Sequence, residues 1–301
     1  MGKQPVVWFN NDIVPWEEAT VHLLSHGMSR GSGIFEVFGT HRNGNHTYAF
    51  RMDKHFERLQ NTLRLLDMEL KYSMDEIKEA VARVTRENNS GEGIVKIMGF
   101  WGETAIVNLV LDSKLDVAVF PIPVEGYMPN GRPDSITACF SKWRKLHPET
   151  VPVQAKACAN YLNGYLIRKD AVKRGFDLGL NVGTDGFVAE GSVESVFIIK
   201  DGIVKTPPLG RILASVTRDS ILRIAEKEAI PVQETHLEKE DIYTADEMFT
   251  CHTGIKIEPI RQFEDRQLPA PGPVTANLLE LMDNVIHFKD ERYSGWFQKL
   301  F

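Results

Sequence analysis

Residues 123–134, Pro-Val-Glu-Gly-Tyr-Met-Pro-Asn-Gly-Arg-Pro-Asp, carry three prolines and two glycines in twelve positions. Proline fixes φ and removes a backbone donor, and glycine adds conformational freedom, so neither a helix nor a central strand runs through such a stretch. The chain is therefore expected to fold as two bodies: an N-terminal domain at 1–122, an interdomain linker at 123–134 and a C-terminal domain at 135–301. With 301 residues, 43% of them hydrophobic, each has enough apolar side chain for its own core.

The first half opens with short β-rich runs. Val6–Phe9 and Ile13-Val14 flank Asn10-Asn11-Asp12 and read as a hairpin. A second hairpin is expected around Asn43-Gly44, between Phe35–Thr40 and Thr47–Phe50. Asp53 is placed to cap a helix whose apolar positions Phe56, Leu59, Leu63 and Leu66 recur three and four apart. Ser73 and Glu76 have capping-box spacing ahead of Ile77, Ala80, Val81 and Val84. Three strand-like runs follow, Ile94–Phe100, Ala105–Leu111 and Leu115–Ile122, which gives an α+β order. The second half begins with strand-like Ile136–Phe140. A helix then starts near Ala159 and stops at Lys173-Arg174-Gly175. Leu178–Val182, Phe187–Ala189, Ser195–Ile199 and Met248–Thr250 read as strands, with turns at Asp185-Gly186 and Asp201-Gly202. Ser215 is placed to cap a helix from Val216 to Ala229, and a last helix covers Val274 to Phe288.

Composition excludes some functions. The formal net charge is −6, so nucleic acid and anionic membrane are not expected partners. No window approaches the roughly 18 consecutive apolar residues of a spanning helix, and Met1–Phe9 lacks the basic start and apolar run of a signal peptide. Cys139, Cys158 and Cys251 are odd in number and far apart, which suits reduced thiols in a cytoplasmic protein. His22 and His26 share a helical spacing, but no third ligand stands near them, so no metal is expected.

Two segments carry possible chemistry. In Ala155-Lys156-Ala157-Cys158-Ala159-Asn160-Tyr161 a lysine sits among small, mostly apolar residues before a helix. Desolvation would free such an amine to attack a carbonyl; read alone, an exposed lysine at a helix start is the plainer account. Ser215-Val216-Thr217 opens a helix whose free N–H groups suit a phosphate; read alone, water fills that role at most helix starts.

Together these segments resemble those of a known family. Gly31-Ser32-Gly33-Ile34-Phe35-Glu36, His55-Phe56-Glu57-Arg58-Leu59, Lys156-Ala157-Cys158-Ala159-Asn160-Tyr161, Asp185-Gly186-Phe187-Val188-Ala189-Glu190-Gly191, Thr206-Pro207-Pro208-Leu209, Ser215-Val216-Thr217-Arg218 and Asp246-Glu247-Met248-Phe249 with Thr253 occur in one order along nearly the whole chain. This order is similar to that of class IV aminotransferases, a family that includes branched-chain and D-amino-acid aminotransferases and aminodeoxychorismate lyase. The resemblance implies a two-domain α+β / α/β protein, a fold type IV pyridoxal-phosphate (PLP) enzyme like D-amino-acid aminotransferase. Its N-terminal α+β domain would be small, and its larger C-terminal domain would have a β-barrel-like core. PLP would lie in the cleft between the domains, in a homodimer or higher homo-oligomer whose second subunit contributes a covering loop.

The resemblance also implies roles. Lys156 would hold PLP as a Schiff base and shuttle the substrate proton. Glu190 would face the pyridine nitrogen, Tyr161 the 3′-oxygen and Arg58 the phosphate. The N–H groups of Val216 and Thr217 and the Thr253 hydroxyl would complete the phosphate cup. On the substrate side, Lys96 stands where branched-chain enzymes carry an arginine, and Arg30 replaces a tyrosine; Arg30 suits either a substrate carboxylate or a structural ion pair. Gly254 can offer an N–H to a substrate carboxylate. His252 replaces a common glycine, and Lys256 a common glutamate. Phe35, Val37 and Trp143 match positions that line a side-chain pocket, and such a lining prefers apolar substrates. The expected reaction is ping-pong transfer of an amino group from an amino acid, best a branched-chain L-amino acid, to a 2-oxo acid such as 2-oxoglutarate. The alternatives are a D-amino-acid or (R)-amine transaminase, a lyase of the aminodeoxychorismate type, and a scaffold that binds PLP without turnover.

Overall fold

The computed structural model describes residues 5–128, 131 and 133–301. The chain forms two compact units. One comprises residues 1–131, 155–159 and 290–301, the other residues 132–154 and 160–289.

The first unit begins with the expected hairpin, β1 (Val6–Phe9) and β2 (Asp12–Pro15), and a one-turn helix, α1 (His26–Arg30). The second hairpin, β3 (Ile34–Asn43) and β4 (His46–Phe50), follows. Then come α2 (Met52–Leu66), α3 (Met74–Glu87), β5 (Gly93–Phe100), β6 (Asp116–Pro123) and the short α4 (Val124–Tyr127). β5 alternates strictly: Gly93, Val95, Ile97 and Gly99 are buried, while Ile94, Lys96, Met98 and Phe100 are not. The buried row meets α2 and α3 in a core that includes Phe38, Phe56, Leu59, Ile77 and Val81. The other row, with Phe35 and Val37 of β3, forms the second face of the sheet; Phe35 pairs with Met98 and Val37 with Lys96.

Two expectations fail here for physical reasons. α2 is not capped by Asp53. Its N-cap is Arg51 in the left-handed region, at φ 51°, with no side-chain cap. Arg51 is held by tertiary contacts: its N–H donates to the Trp296 carbonyl, and its guanidinium lies 4.4 Å from the Trp296 ring centroid. Ala105–Leu111 is not a strand, because β5 pairs directly with β6 and leaves it no partner. The segment is a loop with Ile106, Val107, Leu109 and Val110 from 72% to 83% exposed. The capping box at Ser73 and Glu76 forms as expected.

In the second unit β7 (Ile136–Phe140), α5 (Tyr161–Lys173), β8 (Leu178–Leu180), β9 (Ser195–Lys200), β10 (Ile203–Thr206), α6 (Val216–Lys227) and β11 (Val232–Glu234) are followed by α7 (Lys239–Thr244), β12 (Glu247–Cys251), β13 (Glu258–Phe263), β14 (Arg266–Gln267) and α8 (Pro273–Ile286). The sheet order is β11-β10-β9-β12-β13-β7-β8, with parallel pairs at β10/β11, β7/β13 and β7/β8. Its core gathers Phe140, Leu180, Val196, Ile198, Met248 and Phe263. Phe187–Ala189 is held by an isolated bridge, Val182 to Val188, and by flanking backbone hydrogen bonds around the Asp185-Gly186 turn rather than as a full strand.

The chain ends in β15 (Phe297–Lys299), which pairs antiparallel with β4 and completes the first sheet as β15-β4-β3-β5-β6-β1-β2. Residues 290–301 and 155–159 thus group with the first unit, although composition alone put both beyond the expected linker. Backbone pairing is the reason. Ile34 bridges Ala157, and the Cys158 N–H donates to the Gly33 carbonyl at 2.8 Å. Residues 129, 130 and 132 of the expected linker lie outside the described residues.

Candidate active site

In the first unit the residues singled out by sequence converge from three elements. The segment around Lys156 runs beside the start of β3. The Phe35 N–H donates to the Lys156 carbonyl at 3.0 Å, and the Lys156 N–H donates to Thr62 Oγ1 at 3.1 Å. Thr62 shares a face of α2 with Arg58 and His55, at spacings of four and three. The Lys156 side chain is 8% exposed, and its Nζ lies 4.7 Å from the Phe35 ring centroid; Lys96 Nζ lies 5.0 Å from the same ring. Two cations therefore flank one aromatic ring.

Behind this row lies a buried charge cluster. Glu36 is fully buried on the inward side of β3 between Ile34 and Phe38. Its carboxylate accepts from Arg58 Nε at 2.9 Å, from Arg58 Nη2, from the Val37 N–H at 2.9 Å, and contacts His55 Nδ1 at 2.9 Å. Burial alone would raise the Glu36 carboxyl, but the charge and hydrogen bonds of Arg58 and His55 hold it well below the usual carboxylate range. Burial dominates at His55 and pushes it down to about 4 against the pull of Glu36, so the ring is neutral at pH 7.

The second unit holds the remaining residues. Glu190 is 8% exposed, and its backbone is clamped to Asn181: the Asn181 N–H donates to the Glu190 carbonyl at 2.9 Å and the Ala189 N–H to the Asn181 carbonyl at 3.0 Å. Glu190 Oε1 pairs with Lys145 Nζ, and Oε2 has no hydrogen-bond partner among the described residues. Ser215 caps α6, its Oγ accepting from the Arg218 N–H at 3.2 Å. The N–H groups of Val216 and Thr217, at the very start of the helix, have no acceptor among the described residues. Tyr161 opens α5, and Thr253 stands in the turn between β12 and β13. Lys256, buried and at φ 72°, donates from Nζ to the Thr253 carbonyl at 2.6 Å.

The remaining residues weighed for the substrate side have local surroundings of their own. Arg30 is exposed and donates from Nη2 to the Ile106 carbonyl at 2.9 Å. His26 on the same helix has one ring nitrogen 2.7 Å from Ser32 Oγ and the other 3.0 Å from the Leu109 carbonyl. Both side chains hold down the 106–110 loop. The Gly254 N–H donates to His252 Nδ1 at 3.2 Å. Trp143 is 41% exposed. Two groups were missed. Glu36 had a signal, a lone carboxylate at an inward position of an apolar strand, whereas Lys145, 45 residues from its partner, had none.

The donor set suits PLP. A buried lysine amine can hold an aldehyde, and an open helix N-terminus with an arginine elsewhere in the chain suits a phosphate. A carboxylate with one uncommitted oxygen can face a ring nitrogen. Comparison with known proteins agrees. The model of amino-transferase class IV matches residues 33–263. The branched-chain-amino-acid aminotransferase of Escherichia coli (strain K12) is 31% identical over 303 residues, spanning 99% of this chain and 98% of that one. The crystal structure of a branched-chain aminotransferase from Thermoproteus uzoniensis with norvaline superposes with a TM-score of 0.93 at 30% identity, covering 99% and 100% of the two chains. A branched-chain amino acid aminotransferase from Thermobaculum terrenum, solved in its PLP-form, gives 0.91 at 30% identity, with 100% of each chain covered. This chain belongs to the class IV aminotransferases: it has their type IV fold and is a PLP-dependent aminotransferase.

Proposed function

We propose that this enzyme moves the amino group of a branched-chain L-amino acid to a 2-oxo acid such as 2-oxoglutarate. One observation carries the substrate reading. Beside the Lys156 amine, the second face of the first sheet offers apolar Phe35, Val37 and Met98 together with a single cation, Lys96. An apolar side chain and one carboxylate match that surface. The branched-chain names of the relatives point the same way.

Bound PLP supplies an electron sink that makes the substrate's α-hydrogen acidic. The protein's residues do the rest. Lys156 would hold the cofactor's aldehyde carbon, and its free Nζ would carry the substrate's α-proton. Glu190, with Oε2 uncommitted, would keep the cofactor's ring nitrogen protonated. Tyr161 orients the 3′-oxygen. Arg58, kept in place by Glu36, would bind the phosphate, as would the Val216 and Thr217 N–H groups and the Thr253 hydroxyl. Lys96 attracts the substrate carboxylate as a point charge rather than as a planar fork.

The protein acts as a homodimer or higher homo-oligomer in the cytoplasm. Leu23 and Met28 join Ile106, Val107, Leu109 and Val110 among the large exposed apolar residues of the first unit, a concentration that favours burial against a second copy. All three cysteines are unpaired, and no described helix is long and apolar enough to cross a membrane. The test is a panel of L- and D-amino acids and (R)-amines against 2-oxoglutarate and pyruvate, with light scattering for the assembly. L-Leucine, L-isoleucine and L-valine with 2-oxoglutarate should give glutamate, and Lys156→Ala should abolish it. Preferred turnover of D-amino acids, or pyruvate released without any acceptor, would overturn the substrate reading.

A further inference from the structure

The Lys145–Glu190 pair has a consequence for catalysis. Lys145 follows β7 in the segment before residue 150, and its backbone is fixed independently of its side chain, because its N–H donates to the Val182 carbonyl at 3.1 Å. Glu190 is fixed in the same way, through Asn181 on the strand extension that carries Val182. The two side chains therefore meet from rigid backbones. Both are nearly enclosed, at 12% and 10% side-chain exposure, so water screens the pair little. The contact uses only Oε1. Lys145 also lines a cavity of about 450 Å³ with Leu146, Phe187, Pro208 and Arg211. Asp185, a carboxylate on the wall of that cavity, is paired with Arg211 and does not compete for Lys145.

We infer that Lys145 is a positioning residue for the amino-transfer reaction: its ammonium holds one oxygen of Glu190 so that the other presents a fixed negative charge to the cofactor's ring nitrogen. The inference rests on the reading that Glu190 faces that nitrogen. A carboxylate on a flexible side chain samples several rotamers, and a charge-assisted contact at one oxygen selects among them. Without the lysine, a nearly buried carboxylate has no counter-charge and gains by turning toward solvent or taking up a proton. Either change weakens what the ring nitrogen receives.

The experiment compares the holoenzymes of wild type, Lys145→Met, Lys145→Arg and Glu190→Gln. Three quantities are measured: the pH midpoint of the cofactor's visible absorbance, the rate of cofactor release on dilution, and the single-turnover rate with amino donor alone. Glu190→Gln should shift the midpoint and slow the single turnover. Lys145→Met should shift the midpoint in the same direction by less, release cofactor faster, and slow the single turnover by about tenfold, the effect of one modest charge-assisted contact. Lys145→Arg should restore most of all three. If Glu190→Gln shifts the midpoint and Lys145→Met leaves it at the wild-type value or moves it the opposite way, the inference about Lys145 is wrong while Glu190 keeps its role. If Glu190→Gln itself behaves as wild type, the reading of Glu190 fails and the inference falls with it. Circular dichroism checks that each variant is folded; the midpoint and rescue by arginine separate positioning from mere support, which would change neither.

Discussion

Glu36 and Glu190 are both carboxylates paired with a cation next to residues assigned to the cofactor, yet their surroundings differ in kind. Glu36 is fully buried and saturated: Arg58 twice, His55 and a backbone N–H occupy both oxygens. Glu190 makes one side-chain contact and keeps an oxygen uncommitted among the described residues. A saturated carboxylate has no capacity left for a ligand, so Glu36 can only hold Arg58. An unsaturated one can serve a ligand but contributes less to folding. The first unit therefore fixes Arg58, the residue proposed to bind the phosphate, through buried electrostatics, and the second unit leaves its acidic residue available.

The largest expected effect breaks this contrast directly. Glu36→Gln leaves the Arg58 guanidinium, 8% exposed, without its counter-charge. Removing one partner of a buried pair destabilises by about 3–5 kcal/mol. Glu190→Gln removes a single side-chain contact and leaves Lys145 beside a cavity, so it should destabilise by roughly 1 kcal/mol while slowing amino transfer far more. Urea unfolding of the cofactor-stripped proteins measures both. Equal losses of stability would erase the distinction.

Acid should sharpen it. Unfolded, His55 takes up a proton near its ordinary value of 6.5; folded, only near 4. Between those values the unfolded chain binds more protons, so stability falls as the pH drops from 6.5 to 4, by about 3 kcal/mol in all. Glu36, whose folded carboxyl lies below its ordinary 4.5, adds a further loss only below that pH. His55→Gln should flatten the limb between pH 6.5 and 4 in a melting-temperature profile and leave the lower limb. A limb unchanged by the substitution would assign the acid loss to other groups.

Much of this arrangement was legible in the chain. The spacing of Phe56, Leu59, Leu63 and Leu66 marked the helix that carries Arg58, and Ser215 marked the start of α6, because both follow from local spacing. What was not legible depended on long-range pairing. Nothing in Ala105–Leu111 says that β5 and β6 pair without it, and nothing near Arg51 says that Trp296 sets the entry of α2. The Lys145–Glu190 contact bridges 45 residues with no motif at either end. Glu36 lay between these cases: its inward position on β3 could be read, its partners could not.

A smaller effect is expected from the packing behind Glu190. Gly164 lies inside α5, where alanine would ordinarily stabilise the helix by about 1 kcal/mol. Here a Cβ would come within 2.2 Å of the Ser192 carbonyl oxygen, a backbone atom two residues past Glu190. Gly164→Ala must push that loop away, so it should destabilise by about 2 kcal/mol and weaken cofactor retention as well. The same substitution at Gly44, where nothing lies within 4 Å, meets no neighbour and only a positive φ, so its loss should be of order 1 kcal/mol with cofactor retention intact. Stability and retention falling together at Gly164 but apart at Gly44 would show that the loop's position, not overall stability, sets what Glu190 can do.

The smallest effect concerns the groups of the second unit proposed to bind the phosphate, which are backbone rather than charge. Ser215 Oγ satisfies the Arg218 N–H and leaves those of Val216 and Thr217 for a ligand. Ser215→Ala removes the cap and should destabilise by about 1 kcal/mol. The Val216 and Thr217 N–H groups survive the change, since their direction is set by α6, whose buried Val216, Ile221 and Ile224 remain packed. Cofactor affinity should therefore fall by less than about tenfold, the equivalent of about 1.4 kcal/mol. Arg58→Ala in the first unit should weaken affinity far more, because it deletes the proposed phosphate contact itself. If Ser215→Ala weakens binding as much as Arg58→Ala, the helix start is not held by its own core, and the second unit depends on its cap as heavily as the first depends on Glu36.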